Sequence, residues 1–337
     1  ILRGQGMYRI LAALLSLSSL YSSMYHHTIQ TDDTSVICSQ EDIEPFEELL
    51  ISWNAERPET GYYSIYVSVY TESWSPWLLY AKWGATFQKG TMSEEASVRV
   101  YQDAAEVLKG AKGDGFRVKI AAEEGADLRR FRSVQLCGSN PSRMQGISNE
   151  LPPETSCLLD VDGLSQMALA DSRRDRLCSP TSTTAVVRFL KQDDSLSPVA
   201  FADSVWDETF DIFGNWVFNV AEAAAQLEDT SISCWVERVT RFRDVIESLQ
   251  AGFPVVASVR GPLVGSAKPY AGGHLLVIIG YDSKARDVIC MDPAFDTDEM
   301  TRVRYPLGDF LTAWHRRKNI AYIFKRLPPS TILLMEK

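Results

Sequence analysis

LCSPTSTTAVVRFL, residues 177–190, decides the reading of this chain. Cys178 stands directly ahead of a segment in which Ala185 and Phe189, and Val186 and Leu190, are four residues apart. That is the spacing of neighbours on one face of a helix. Pro180 suits the first helical turn, where its missing N–H costs nothing, and the nearby Ser and Thr hydroxyls are of the type that caps helices. A thiol placed there feels the positive end of the helix dipole, which favours the thiolate. An imidazole partner would favour it further, as an ion pair. The plain alternative is a cysteine that serves as a small buried hydrophobe.

Working outward, the chain offers four histidines as partners. His274 follows Gly272 and Gly273 and leads into LLVIIGYD, an apolar strand, so a polar ring stands at the mouth of a buried strand. His315, in AWHRRKN, lies among three cations and reads as a surface residue. His26 and His27 end an apolar N-terminal run and would be lost or peripheral if that run is cleaved. A base needs an orienting group on its second ring nitrogen. Asp292, in VICMDPAF, follows His274 by 18 residues, a separation that suits two adjacent antiparallel strands. Asp282, in the turn between those strands, competes for the role, and Asp292 ahead of Pro293 also reads as a turn former. For an oxyanion, the backbone N–H of Cys178 and the amide of Gln166, in GLSQMALAD, are the candidate donors. A glutamine on a surface loop is the duller reading of Gln166.

The chain has 337 residues, 45% hydrophobic and 23% charged, with a net charge of -10. That composition supports two globular domains and carries no basic footprint for nucleic acid. Between Ile10 and Thr31 there is no charged residue, and the apolar run Ile10–Leu20 suits a signal peptide better than a membrane span. Residues 1–27 are therefore expected to be a leader, and the protein to be secreted or held in the cell envelope. Residues 42–138 alternate with a period of two. Tyr63, Ile65, Val67 and Val69 face one way, as do Phe116, Val118, Ile120 and Ala122. The region reads as an all-β, sandwich-like domain. Trp53, Trp74, Trp77 and Trp83 in it suit core packing, with a glycan or partner platform as the sharper alternative. Residues 139–156, polar and with three prolines, read as a linker. Residues 157–330 mix helices and strands, an α+β domain. Six widely spaced cysteines form no C-x-x-C pair, which gives no support to a zinc ribbon.

The segments SQMALA, LCSPTSTTAVVRFL, VWDETFDIFGNWVFNVAEAA, AGFPVVASVR, GGHLLVIIGYD, VICMDPAF and YPLGDFLTAW, in this order between Ser165 and Phe324, carry a family resemblance. The chain resembles the bacterial papain-like cysteine peptidases related to the bacteriocin-processing peptidases. FEELLISWNAERP and WSPWLLYAKWG look like the β-domain that precedes the peptidase in some members. The resemblance implies a papain-like fold and hydrolysis of peptide bonds through a thioacyl-enzyme. It implies Cys178 as nucleophile, His274 as base, Asp292 as orienting group and Gln166 as oxyanion donor. It implies a peptide or protein substrate and no metal or organic cofactor. Two rivals remain open: an acyl transferase or cell-wall amidase on the same triad, and a non-catalytic binding protein that uses its β-domain. Gly214–Trp216, GNW, recurs in the family without an assignable role.

Overall fold

The computed structural model describes residues 21–147 and 156–327. The first half is built of ten strands: β1 (Ser22–Thr28), β2 (Ser35–Gln40), β3 (Glu48–Ala55), β4 (Tyr62–Tyr70), β5 (Leu78–Gly84), β6 (Gln88–Glu95), β7 (Val98–Gln102), β8 (Ala104–Val107), β9 (Gly115–Glu123) and β10 (Phe131–Ser139). They form one antiparallel ladder in the order β1-β10-β3-β8-β7-β6-β5-β4-β9-β2. The ladder folds over on itself. Strand β6 makes the turn, pairing with β5 through Gln88–Gly90 and with β7 through Thr91–Glu95. Rings from opposite ends then meet inside: Trp53 of β3 on Trp83 of β5 at 6.1 Å, Tyr63 of β4 on Phe131 of β10 at 5.2 Å, and Tyr25 of β1 on Phe116 of β9 at 5.3 Å. Of the residues read as inward-facing, Tyr63, Ile65, Val67, Val69, Phe116, Val118 and Ile120 are fully buried there, whereas Ala122 at the end of its strand is only partly buried.

The tryptophans divide. Trp53 and Trp83 are core. Trp74 and Trp77 lie at the surface, and the Arg117 guanidinium sits over both rings, at 4.1 and 5.0 Å, with Lys119 over Trp77 at 5.5 Å. Each ring is thus already engaged by a cation.

The expected leader differs from the structure at its end. Residues 1–20 lie outside the described residues, but β1 pairs with β10 along its whole length, from Ser22 opposite Ser139 to Thr28 opposite Ser133. A leader reaching residue 27 would remove a strand. A charge-free run of small and aromatic residues satisfies an apolar leader and a half-buried edge strand equally well, so the sequence does not mark where one gives way to the other. Among the described residues no helix is long and apolar enough to cross a membrane. Part of the expected linker also packs: Met144 and Ile147 are buried. Residues 148–155 lie outside the described residues.

The second half carries a seven-stranded antiparallel sheet of β11 (Cys157–Leu158), β12 (Ile232–Arg238), β13 (Val255–Gly261), β14 (Tyr270–Asp282), β15 (Asp287–Met291), β16 (Arg302–Pro306) and β17 (Ile320–Arg326). Its order is β12-β17-β13-β14-β15-β16, with β11 added on β14. Five helices accompany it among the described residues: α1 (Cys178–Lys191), α2 (Pro198–Val205), α3 (Trp216–Gln226), α4 (Phe242–Gln250) and α5 (Leu307–His315). The apolar run of β14 is explained by burial on both faces. Leu275, Val277 and Ile279 enter the core shared with α1 and α3, and Leu276 and Ile278 enter the core shared with α4 and α5. Helix α4 ends at Gly252, which takes a φ of 87° that few other residues adopt.

The two halves share one core. Trp53 and Trp83 belong to the same apolar cluster as Val186 of α1, Phe218 of α3 and Val236 of β12. Alternate residues of β3 complete the seam. The amide of Asn54 accepts the N–H of Cys234 at 2.8 Å and donates to its carbonyl at 2.9 Å, and Ser52 Oγ accepts the N–H of Val236 at 2.9 Å. Strand β12 is the edge of its sheet, and these side chains satisfy the backbone groups an edge leaves open. Asn54→Ala strips the partners from two buried backbone groups, so we expect a loss of about 3 kcal/mol in urea unfolding. We also expect tryptophan fluorescence and far-UV signal to unfold together in one transition. Separate transitions for the two halves, or a loss under about 1 kcal/mol, would contradict the shared core.

Candidate active site

Helix α1 starts at Cys178 itself. Its N-cap is Leu177, and no side chain caps it. The expected capping hydroxyls are used elsewhere: Ser179 Oγ meets the Tyr322 hydroxyl at 2.8 Å, Ser182 Oγ donates to the Leu275 carbonyl at 3.0 Å, and Thr183 donates back to Ser179 at 2.8 Å. The helix can therefore be buried along its first turns, and its first N–H groups keep no side-chain partner. The N–H groups of Ser179 and Leu275 point to the Cys178 sulfur. Cys178 is partly exposed.

His274 lies within β14, opposite Val259 of β13, and not ahead of the strand as its sequence suggested. It is buried. Its Nε2 is 2.7 Å from Asp292 Oδ1, which leaves Nδ1 for the thiol of Cys178, to which the ring is hydrogen-bonded. Gly272 and Gly273 precede the ring on the cleft wall, and Gly273 has a φ of 102°, a conformation that strains any residue with a Cβ. Asp292 follows β15 directly. The β14–β15 ladder, with Val277 opposite Met291, carries it to the level of His274. The 18-residue spacing thus brings the two side chains together. Asp282, the competitor, stays in the exposed turn and pairs with Arg304 at 2.9 Å.

Asp292 is completely buried. Its Oδ2 accepts the hydroxyls of Tyr270 and Tyr305, each at 2.6 Å, and its Oδ1 also accepts the N–H of Ala294 at 3.0 Å. The turn-forming role and the orienting role coexist. Tyr270 also stacks on the His274 ring with centroids 4.0 Å apart. Sequence reading missed both tyrosines. Tyr270 could have been found, since it stands four residues before His274 on one strand, a spacing that puts both on the same face. Tyr305 comes from β16 and had no such signal.

The electrostatics follow from these contacts. Burial alone would raise the Asp292 pKa, but the His274 charge and the bonds from His274 and the two tyrosines outweigh it and hold the carboxyl below its usual value. Burial alone would lower the His274 pKa, yet the Asp292 charge and hydrogen bond, with those of Cys178, push it up to about 10. At Cys178 burial works to raise the pKa, and the His274 bond and charge with the two backbone N–H groups bring it below the ordinary thiol value. All six cysteines are free. Burial pushes the other five thiols up, Cys38 and Cys137 to about 11. Cys178 alone of the six is shifted toward the thiolate.

Gln166 takes a different position from its expected one. It is buried, its Nε2 donates to the Arg174 carbonyl at 2.6 Å, and its Oε1 is buried without a hydrogen-bond partner. It steadies the turn leading to Cys178 and is not among the residues that line the cleft. His315 lies at the end of α5, and His26 and His27 on β1, all away from that cleft. The GNW segment does reach it. Gly214 and Trp216 line the cleft, and Asn215 caps α3 while donating to Asp207 at 2.8 Å. Asp207 in turn accepts the N–H of Gly90 in β6 at 3.1 Å, which ties the helix start to the β-domain.

A partly exposed thiol at a helix start, a ring bonded to it and a buried carboxylate behind the ring define the site type of a cysteine hydrolase. Residues 158–322, just under half of the chain, match the model of the Peptidase_C39 like family, and the match supports a cysteine peptidase. Among solved structures, the chain is similar to one described as a C39-like peptidase from Bacillus anthracis, with 17% identity and a TM-score of 0.39 over 51% of this chain and 98% of that one. It is also similar to xylellain, a cysteine protease from Xylella fastidiosa, with 13% identity and a TM-score of 0.31 over 53% of this chain and 87% of that one. Neither likeness, at these TM-scores, bears on this chain's chemistry. No curated protein matches the chain significantly.

Tyr305→Phe removes one of the bonds that hold Asp292 ionised. The lowered carboxyl contributes stability that is present above its unfolded-state pKa and lost as pH falls through its folded value. Losing the hydroxyl raises that folded value, so the acid-side loss of stability should begin at higher pH in the variant. Urea midpoints measured from about pH 3 to 7 check this. An unmoved acid limb would mean that the tyrosine does not support the charge.

Proposed function

We propose that Cys178 is the nucleophile of a peptide-bond hydrolase, His274 its acid–base partner and Asp292 the group that orients the ring. The observation that carries this reading is the Cys178–His274–Asp292 chain of hydrogen bonds, with the pKa of the thiol drawn down and that of the imidazole drawn up. Between those two values the pair rests as thiolate and imidazolium.

The Cys178 sulfur forms a bond to the carbonyl carbon, and the carbonyl π pair moves to oxygen. The intermediate collapses, the C–N bond breaks, and the His274 imidazolium gives its proton to the leaving amine. Water then attacks the thioester, His274 takes the water's proton, and the acid leaves as the C–S bond breaks. Asp292 stays ionised throughout and holds the tautomer that points Nδ1 at sulfur. For the oxyanion we assign the N–H of Cys178, a reading that the uncapped start of α1 supports. The charge-free run Ile10–Leu20 supports export to the cell envelope or beyond.

Alkylation with iodoacetamide, the modified cysteine being located by mass spectrometry, tests the pair. At about pH 6 Cys178 should react ahead of the other five cysteines, and His274→Ala should slow it about 100-fold, as an ordinary thiol pKa implies. Cys178→Ala should abolish hydrolysis of any peptide that the wild type cleaves. Slow labelling spread over several cysteines, indifferent to His274, would sink the reading. Adding a primary amine during turnover separates hydrolysis from acyl transfer: a product carrying the added amine favours a transferase.

A further inference from the structure

The peptidase half does not build its cleft alone. The hairpin of β7 and β8 turns on two residues, Gln102 and Asp103, and its tip forms a wall of the cleft of about 560 Å³ into which Cys178 and His274 open. Gln102 makes the turn with a φ of 55°. Asp103 is only 8% exposed. Its Oδ2 accepts the N–H of Trp216 at 3.1 Å, and its carbonyl accepts the Tyr80 hydroxyl, so the tip is held from both sides.

Among the described residues Asp103 has no cation within ion-pair distance. Other charges on the wall are matched: Glu48 with Arg238 at 2.7 Å, Glu106 with Arg99, and Arg176 with Asp211 at 3.1 Å. Arg317, also without an ion pair among the described residues, lies over the Trp216 ring at 5.1 Å and donates to Ser258 Oγ at 3.3 Å. Asp175 is exposed. Asp103 is thus a nine-tenths buried carboxylate whose charge the protein leaves largely unanswered. Burial raises its pKa to about 6, the Trp216 N–H offsetting part of this, Glu48 adding to it and Arg317 opposing it. The seam itself does not require this charge, since a neutral carbonyl would satisfy the Trp216 N–H equally well. A buried charge without a partner is costly, and its cost is recovered when a cation arrives.

We propose that Asp103 is a specificity-determining residue of the peptidase: from the β-domain, it receives a cationic nitrogen of the peptide substrate, an ammonium or guanidinium, beside the bond to be cleaved. This rests on the reading of Cys178 and His274 given above. The cation has two sources, a Lys or Arg side chain or a free N-terminal amine, and the chemistry of recognition is the same for both.

The test needs no known substrate. The full chain and its Asp103→Asn variant are treated with iodoacetamide and with short peptidyl electrophiles that alkylate Cys178. The peptides carry Lys or norleucine and have either a free or an acetylated N-terminus. Each peptidyl rate is divided by the iodoacetamide rate of the same variant, which removes any change in the thiol itself. The wild type should favour the cationic probe over its neutral counterpart by about 30-fold, the worth of one charge-assisted hydrogen bond, and Asp103→Asn should cut the preference to about threefold or less. A preference that follows Lys assigns the site to a side chain; one that follows the free amine assigns it to the N-terminus. No cationic preference in the wild type, or one that Asp103→Asn leaves whole, overturns the proposal, and the wild-type result decides even if the variant fails to fold. Failure of iodoacetamide to single out Cys178 would instead overturn the catalytic reading, and this proposal with it.

Discussion

A completely buried carboxylate organises the second half of the molecule. Asp292 is removed from water, and an ion so placed persists only where its lone pairs are met. Four groups meet them: the His274 ring, the Tyr270 and Tyr305 hydroxyls and the Ala294 N–H. They come from β14, from β16 and from the turn after β15, so three neighbouring strands must keep their register for the charge to be tolerated. The same charge raises the pKa of the imidazole, and the imidazole in turn lowers that of the thiol. The polarity of the cleft is therefore set from the least accessible point of the site outward.

The β-domain is part of this construction and not a loose attachment. Its strand β3 closes the open edge of β12 with side-chain hydrogen bonds, and its aromatic core continues into α1 and α3. Through Asp207 and Asp103 it also fixes the start of α3, where the GNW segment meets the cleft. A segment that resisted assignment in one dimension gains its meaning from a contact with a strand more than a hundred residues earlier.

Legibility in the sequence followed the range of the interactions. Cys178 could be read because a helix start is local, and its consequence for a thiol follows from the dipole. His274 and Asp292 could be read because an antiparallel hairpin converts sequence spacing into proximity, here to 2.7 Å. Gln166 was legible only as a residue type. Its engagement with Arg174 depends on how one turn folds back. Tyr305, Asp103 and Arg317 gave no signal, because each reaches the site from an element whose neighbours are fixed only by packing.

The sequence by itself therefore pointed to Cys178, His274 and Asp292 as a candidate site, to the alternation that makes the first half a β structure, and to a buried apolar strand after His274. These rest on interactions between residues near in the chain or on a period that the backbone imposes. Only the tertiary structure decided that Ser22–Thr28 pairs with β10 as a strand, that ten strands fold into a single ladder, and that its β7–β8 tip completes the cleft. Those features depend on which surfaces meet after the chain closes, and strand pairing over long separations leaves no spacing in the sequence by which to read it.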